Sequence, residues 1–265
     1  MERTRGGVVR PQTVITPRDV ELVAWLARFG YATTPILCRR FRSSYKQMRW
    51  RIARLVRLNL LREERLHRPW IVLATADGME LAASPLSVAS LSVVRIRHTL
   101  GIAMLGCAAE LTGLTVWPER EIRVTDRGQH RLTLSVHLPP QDKGRRAAWH
   151  VPDLVIAHPS PSGGAPLLEA VELELTAKSA ARLHDILTAY AASPLFTRVT
   201  YYTCSRSIRL AVEDTAAAIS LHARQLVQVR PYPGGDDTGT ELSQGMADVL
   251  DAREVRWTPD ETLDD

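Results

Sequence analysis

Glu172 and Glu174 stand two residues apart in a run from 171 to 176 in which apolar and polar residues alternate strictly. As a strand, this run puts Val171, Leu173 and Leu175 on one side and Glu172, Glu174 and Thr176 on the other. The two carboxylates then sit roughly 6 to 7 Å apart, two residues at about 3.3 Å each. Their repulsion favours a cation between them, which a metal, or a nearby Lys or Arg, would supply. Asp153 opens an earlier apolar run over 154–157, and Lys178 follows four residues after Glu174. If the two runs pair, three carboxylates converge on one edge of a sheet. Spacing alone also admits the plainer reading of an amphipathic strand with solvated glutamates.

The elements that must position these groups lie within residues 90–230. The pattern predicts a helix over 93–111, with His98, Ile102, Leu105 and Ala109 on one stripe and Arg95, Arg97 and Glu110 elsewhere. Strands are expected over 116–124 and 131–138, joined by a turn at Asp126-Arg127-Gly128, with a polar loop over 139–146. The strands bearing Asp153 and Glu172 follow. After them come a helix over 177–192 with Leu183, Ile186, Leu187 and Tyr190 inward, a strand over 198–204, a helix over 208–223 and a strand over 226–229. That alternation suggests a mixed sheet with helices packed on it.

Charge is distributed unevenly. Residues 1–70 carry 16 Lys and Arg against 5 Asp and Glu, residues 231–265 carry 2 against 10, and the middle is nearly balanced. A basic first quarter is the electrostatic footprint of a phosphate-backbone binder. Residues 1–13 read as a basic arm without periodicity, either an unstructured terminus or an arm that follows a DNA groove. Thr16-Pro17 and Thr34-Pro35 are helix starts, and Gly30 ends the first helix, which carries Val20, Val23, Ala24 and Ala27 at helical spacing. A third helix over 44–58 gathers Tyr45, Met48, Ile52, Leu55 and Val56 on one side. Lys46, Trp50, Arg54 and Arg57 gather opposite, flanked by Arg49 and Arg51. A core stripe with a cationic outer face, third in a trio, is what a recognition helix needs. A charged turn between apolar runs near 60 and 70 predicts a β-hairpin wing, a short helix closes the unit over 75–83, and 84–87 reads as a hinge. Trp50 would pack against sugar and bases, or in a dimer interface.

The expected architecture is therefore α+β: a winged helix-turn-helix over 14–84, an α/β mixed-sheet unit over 90–230 and an acidic tail over 231–265. The 3 cysteines are far apart in the chain, which suits reduced thiols in a cytoplasmic protein rather than a zinc site. No run is apolar enough to span a membrane. None of the 8 histidines is spaced to hold the metal of a His-hydrophobic-His relaxase. Gly101 to Cys107 has Cys where a phosphate loop needs Lys.

The Pro-Asp at 152–153 and the Glu-Leu-Glu at 172–174 resemble the PD-(D/E)xK nuclease fold, the second in its Glu-x-Glu variant, although Lys178 lies beyond the usual lysine position. The winged unit, the Arg-His-Thr-Leu-Gly-Ile-Ala run at 97–103 and the segment from Glu172 to Ser179 together resemble the replication-relaxation family of plasmids and other mobile elements. That resemblance covers roughly residues 15–230. It implies a double-stranded DNA-binding accessory protein of plasmid or mobile-element replication, relaxation or transfer, with a restriction-endonuclease-like second unit. Its partners would be plasmid replication or relaxosome proteins, its location the nucleoid or plasmid, and a homodimer is compatible with it. On this reading Lys46, Arg49, Trp50, Arg54 and Arg57 contact DNA. Two alternatives stand beside it. One is a transcriptional regulator; the other is a Mg²⁺-dependent endonuclease or nickase in which Asp153, Glu172 and Glu174 hold the metal and Lys178 offsets phosphate charge.

Overall fold

The computed structural model describes residues 14–66, 69–128, 133–139 and 148–232. The basic arm over 1–13, most of the polar loop over 139–146 and the acidic residues from 233 onward lie outside them.

Three helices come first: α1 (Pro17–Phe29), α2 (Thr34–Arg40) and α3 (Tyr45–Arg57), with the short strand β1 (Ala32–Thr33) between the first two. Asp19 accepts hydrogen bonds from the Thr16 amide and hydroxyl at 2.8 and 2.7 Å, closing the N-terminus of α1. Gly30 ends it at φ +89°, a conformation that favours glycine. Ser44 caps α3. Strands β2 (Leu61–Glu64) and β3 (Ile71–Ala74) form an antiparallel pair, β1 joins the far side of β3, and α4 (Ala76–Leu81) follows. Gly78 is forced by close approach, because a Cβ there would meet the Leu60 carbonyl oxygen at 2.1 Å.

After a 3₁₀ turn at Val93–Arg95 comes α5 (Ile96–Leu111), then β4 (Thr115–Pro118) and α6 (Glu119–Gly128). The expected strand over 116–124 is thus four residues of strand followed by helix. Glu119, Ile122 and Asp126 recur at helical spacing, and Ile122 and Asp126 are its buried pair. The expected turn at 126–128 is the end of this helix. Asp126 accepts from the Thr133 amide at 3.0 Å and from the Thr133 and Ser135 hydroxyls, holding the chain that returns. Within the described part of the second expected strand, 133–138, the chain forms only β5 (Val136–His137), paired with β6 (Trp149–His150).

Strands β7 (Leu154–His158) and β8 (Leu167–Glu174) form a hairpin, then α7 (Ala180–Ala192), β9 (Arg198–Thr203), α8 (Arg206–Ile219), α9 (Leu221–Leu226) and β10 (Val227–Pro231) complete the chain. The expected helix over 208–223 is broken at Ser220, whose side chain caps α9. The main sheet is mixed, in order β10-β9-β8-β7-β4, with β8, β9 and β10 parallel and β7 and β4 antiparallel to their neighbours.

The two halves share a core. Helix α5 is buried nearly all round, from Ile96 through Leu100, Ile102, Ala103, Met104 and Leu105 to Ala109, as a helix does when it has neighbours on every side. One apolar cluster runs from Leu22, Leu26 and Phe29 through α5 to Leu154, Val171 and Leu173 of the sheet. Gly106 lets α1 approach, for a Cβ there would lie 2.3 Å from Phe29. This explains why α1 buries Leu22, Trp25, Leu26 and Phe29 beyond the single stripe expected for it. Nor is 84–87 a free hinge: Leu86 and Ala89 are buried and Arg120 donates to the Ser87 carbonyl.

Glu110, expected on an outer face, joins the halves. It accepts from Trp25 Nε1 at 2.7 Å, Arg28 Nη1 at 2.8 Å and Arg40 Nε at 2.5 Å. Arg28 also reaches the Val116 carbonyl at 2.6 Å and Glu121 at 2.9 Å. A second apolar cluster, on the other sheet face, joins Val155, Ala170, Val199 and Tyr201 to α7 and α8. Among the described residues no helix is long and apolar enough to cross a membrane.

Candidate functional site

The strand register brings the carboxylates together. Leu154 pairs with Val171, so Asp153 stands beside Glu172, and Glu172 and Glu174 pair in parallel with Tyr201 and Thr203. Leu154, Val171 and Leu173 face α5, while Ala170, Glu172, Glu174 and Tyr201 face α7 and α8. Both faces of β8 are therefore covered. Glu172 is 1% exposed and Glu174 6%, which overturns the reading of solvated glutamates.

Each carboxylate has its own partners. Asp153 Oδ2 accepts from the Leu173 amide at 2.9 Å and lies 3.1 Å from His98 Nε2 on α5. Glu172 Oε1 accepts from the Tyr190 hydroxyl at 2.5 Å and lies 2.7 Å from His150 Nε2. Glu174 is ion-paired with Lys178, just before α7. Burial pushes Glu172 up, but His150, Lys178 and Tyr190 outweigh it and hold its carboxyl below the ordinary value. Burial pushes Glu174 up and prevails over Lys178, with the charges of Glu172 and Asp153 adding to it. Burial pulls Lys178 down, yet Glu172 and Glu174 hold the ammonium above its usual value. The cation the two glutamates demanded is this lysine.

As placed, the three carboxylates do not gather into a metal cluster. Among the described residues no group of three or more His, Cys, Asp or Glu could hold a metal ion. One oxygen of each carboxylate is engaged, Asp153 Oδ2 by His98 and the Leu173 amide, Glu172 Oε1 by His150 and Tyr190, and Glu174 Oε2 by Lys178. The expectation that Asp153, Glu172 and Glu174 form a metal centre is thus not met in this geometry, and Lys178 neutralises Glu174. His150 and Tyr190 are the members that sequence reasoning missed. His150 precedes the Val-Pro-Asp run by one residue, and Tyr190 was visible only as an inward position of α7.

At the far end of β8, Glu169 gathers His158 at 2.6 Å, Arg198 at 2.6 Å and the Thr200 hydroxyl at 2.5 Å beside a cavity of about 380 Å³. This group is balanced internally: burial pushes Glu169 up, while Arg198, Thr200 and His158 hold it below the ordinary carboxylate value.

The cationic face of α3 divides in two. Arg54 pairs with Asp19, which is 0% exposed, and donates to the Val14 carbonyl at 2.8 Å. Arg51 meets the other Asp19 oxygen at 2.8 Å. Arg49 pairs with Glu63 on β2, and its guanidinium lies 5.3 Å from the Trp70 ring centroid. These three arginines hold the unit together. Lys46, Trp50 and Arg57 remain exposed, Trp50 at 63%, and among the described residues Lys46 and Arg57 meet no carboxylate. Arg54 lies 5.4 Å from the Trp50 ring centroid, bracing the indole on the outer face.

No family model matches this chain, and no curated protein or solved structure does either.

Proposed function

We propose that this is a double-stranded DNA-binding protein whose helix trio and antiparallel hairpin act as a winged helix-turn-helix, with α3 as the reading helix. The observation that carries the reading is the outer face of α3, where Trp50 projects outward backed by Arg54 and, among the described residues, Lys46 and Arg57 meet no carboxylate. Cations for phosphates beside an aromatic ring that can stack on sugar and base suit a nucleic-acid groove. The excess of Lys and Arg over residues 1–70 adds long-range attraction. On this reading the mixed sheet is a nuclease-like scaffold. An accessory role in replication, relaxation or transfer of a plasmid or mobile element, alongside replication or relaxosome proteins, agrees with the motif resemblance.

The test is fluorescence anisotropy with a DNA duplex at several salt concentrations. Lys46→Ala with Arg57→Ala should weaken binding and lower the slope of log K against log salt by about 2, roughly one for each phosphate the variant no longer neutralises. Wild-type protein that ignores duplex at about 50 mM salt, where phosphate contacts bind far more tightly than at physiological salt, would overturn the reading. Titration calorimetry with Mg²⁺ decides the cleavage alternative. No binding is expected, and micromolar binding lost in Glu172→Ala would restore the nuclease reading.

A further inference from the structure

Glu169 shares a face of β8 with Val171 and Leu173, which are packed in the α5 core, but it stands at the other end of the strand. Five residues, roughly 16 Å, separate it from Glu174. Arg198 is its neighbour in register on β9, and His158 reaches it from the end of β7. Thr197, Gln225 of α9 and Gln228 of β10 complete most of the lining of the cavity of about 380 Å³ beside this group. That volume falls among small-molecule sites, which run from about 300 to 1,000 Å³.

The charged groups of the lining are layered. The Glu169 side chain is 9% exposed, whereas those of His158 and Arg198 are 29% and 34% exposed. Both Glu169 oxygens are engaged, Oε1 by the Thr200 hydroxyl and Oε2 by His158 and Arg198. The carboxylate is therefore the inner layer, and the imidazole and guanidinium are the accessible one. Arg198 uses Nη2 on Glu169 and His158, and among the described residues it hydrogen-bonds nothing through its other nitrogens. Gln225 and Gln228 are exposed and add carboxamide donors, and Leu167 supplies an apolar wall. An ion pair of this kind adds little stability over apolar packing. What it supplies is position, because Glu169 fixes two basic side chains at the cavity before a ligand arrives and so lowers the ordering cost of binding.

We propose that this cavity binds the anionic oxygen group, carboxylate or phosphate, of a small molecule, with Arg198 and His158 as charged donors and Gln225 and Gln228 completing its hydrogen bonds. A guanidinium held from behind by a carboxylate offers its remaining N–H groups to such an oxyanion in a fixed geometry. The imidazole donates from its second nitrogen when protonated. The cavity lies at the opposite end of β8 from Glu172 and Glu174 and is remote in sequence from α3, so the proposal stands independently of the DNA-binding reading.

The experiment is titration calorimetry on the full chain at constant ionic strength, with succinate, benzoate and inorganic phosphate as probes. Wild type should bind at least one of them with a Kd of about 1 mM or tighter. Gln225→Glu with Gln228→Glu places two negative charges at exposed positions of the lining and leaves the Glu169 cluster untouched. It should weaken binding at least about tenfold, and Gln228→Lys should strengthen it several-fold. Opposite shifts from opposite charges are a result that a purely structural role of the cluster would not produce. Lys46→Ala with Arg57→Ala, on the face of α3, should leave Kd within about twofold. Thermal unfolding verifies that every variant is folded. Binding of succinate or benzoate without phosphate assigns a carboxylate ligand, and the reverse a phosphorylated one. Failure of all three probes to bind overturns the proposal. So does binding that the two glutamates leave intact, or binding lost with Lys46 and Arg57.

Discussion

Replacing Arg54 with Ala tests whether the cationic face of α3 is an architectural device in part of its length. Asp19 is fully shielded, and Arg54, itself 12% exposed in its side chain, supplies one of its two guanidinium partners. Stripping a buried ion pair of one member costs about 3 to 5 kcal/mol. Arg51 at 2.8 Å and the Thr16 amide and hydroxyl remain on Asp19, and the pair lies under the surface rather than deep in the core. Halving the figure for those retained partners, and adding about 0.5 kcal/mol for the missing support of Trp50, gives a decrease of about 2 to 3 kcal/mol. Urea unfolding should show it, with Arg57→Ala within about 0.5 kcal/mol of wild type, as for an exposed side chain. In an Asp19→Asn background the cost of Arg54→Ala should shrink by about 1 to 2 kcal/mol. Burial pushes the Asp19 carboxyl up, but Arg54 and Thr16 outweigh it and hold it low. Its stabilisation is therefore present above the unfolded carboxylate pKa and lost as pH falls through the folded value. An Arg54→Ala protein as stable as wild type, or additive effects in the double variant, would refute this account and return Arg54 to the DNA-contacting set.

Two further outcomes follow from the packing and the electrostatics. Gly106→Ala places a methyl group against Phe29 and should cost about 1 to 3 kcal/mol in urea unfolding, with circular dichroism verifying that the helices persist. Burial pulls the His98 imidazole down, but the Asp153 hydrogen bond and charge outweigh it and hold it above its ordinary value. Protonated His98 then stabilises the fold below about pH 6.5, and that contribution is lost as pH rises through its folded pKa. Comparing urea midpoints at acidic and alkaline pH should show this component in wild type and its absence in His98→Gln; nuclear magnetic resonance should find the imidazole titrating lower in Asp153→Asn.

Local chemistry made much of this fold legible. The Thr-Pro starts of α1 and α2, Gly30, the inward stripe of α7 and the alternation over 171–174 each depend on neighbours in sequence. What was not legible depends on partners far along the chain. Glu110 looked like a surface acid because Trp25, Arg28 and Arg40 lie 70 or more residues away. The helical wheel of α3 placed Arg54 outward correctly in angle, but a guanidinium can fold back, and Asp19 is what it folds toward. The alternation that suggested a half-solvated β8 was real, yet alternation does not say whether the polar face meets water or a second layer. In this chain α7 and α8 cover it, and that is why the demand for a cation was met by Lys178.

The continuous core through α5 also bears on how such a chain can be inherited. A cut near residue 90 would leave Ile102, Leu105 and the Gly106 face of α5 bare on one piece, deprive Glu110 of its donors, and expose Leu22, Trp25 and Phe29 on the other. Neither piece is a cassette that recombination could splice to a foreign partner and expect to stay soluble. The helix trio and the sheet must therefore be inherited together, and whatever variation the fold tolerates must leave the packing around α5 intact.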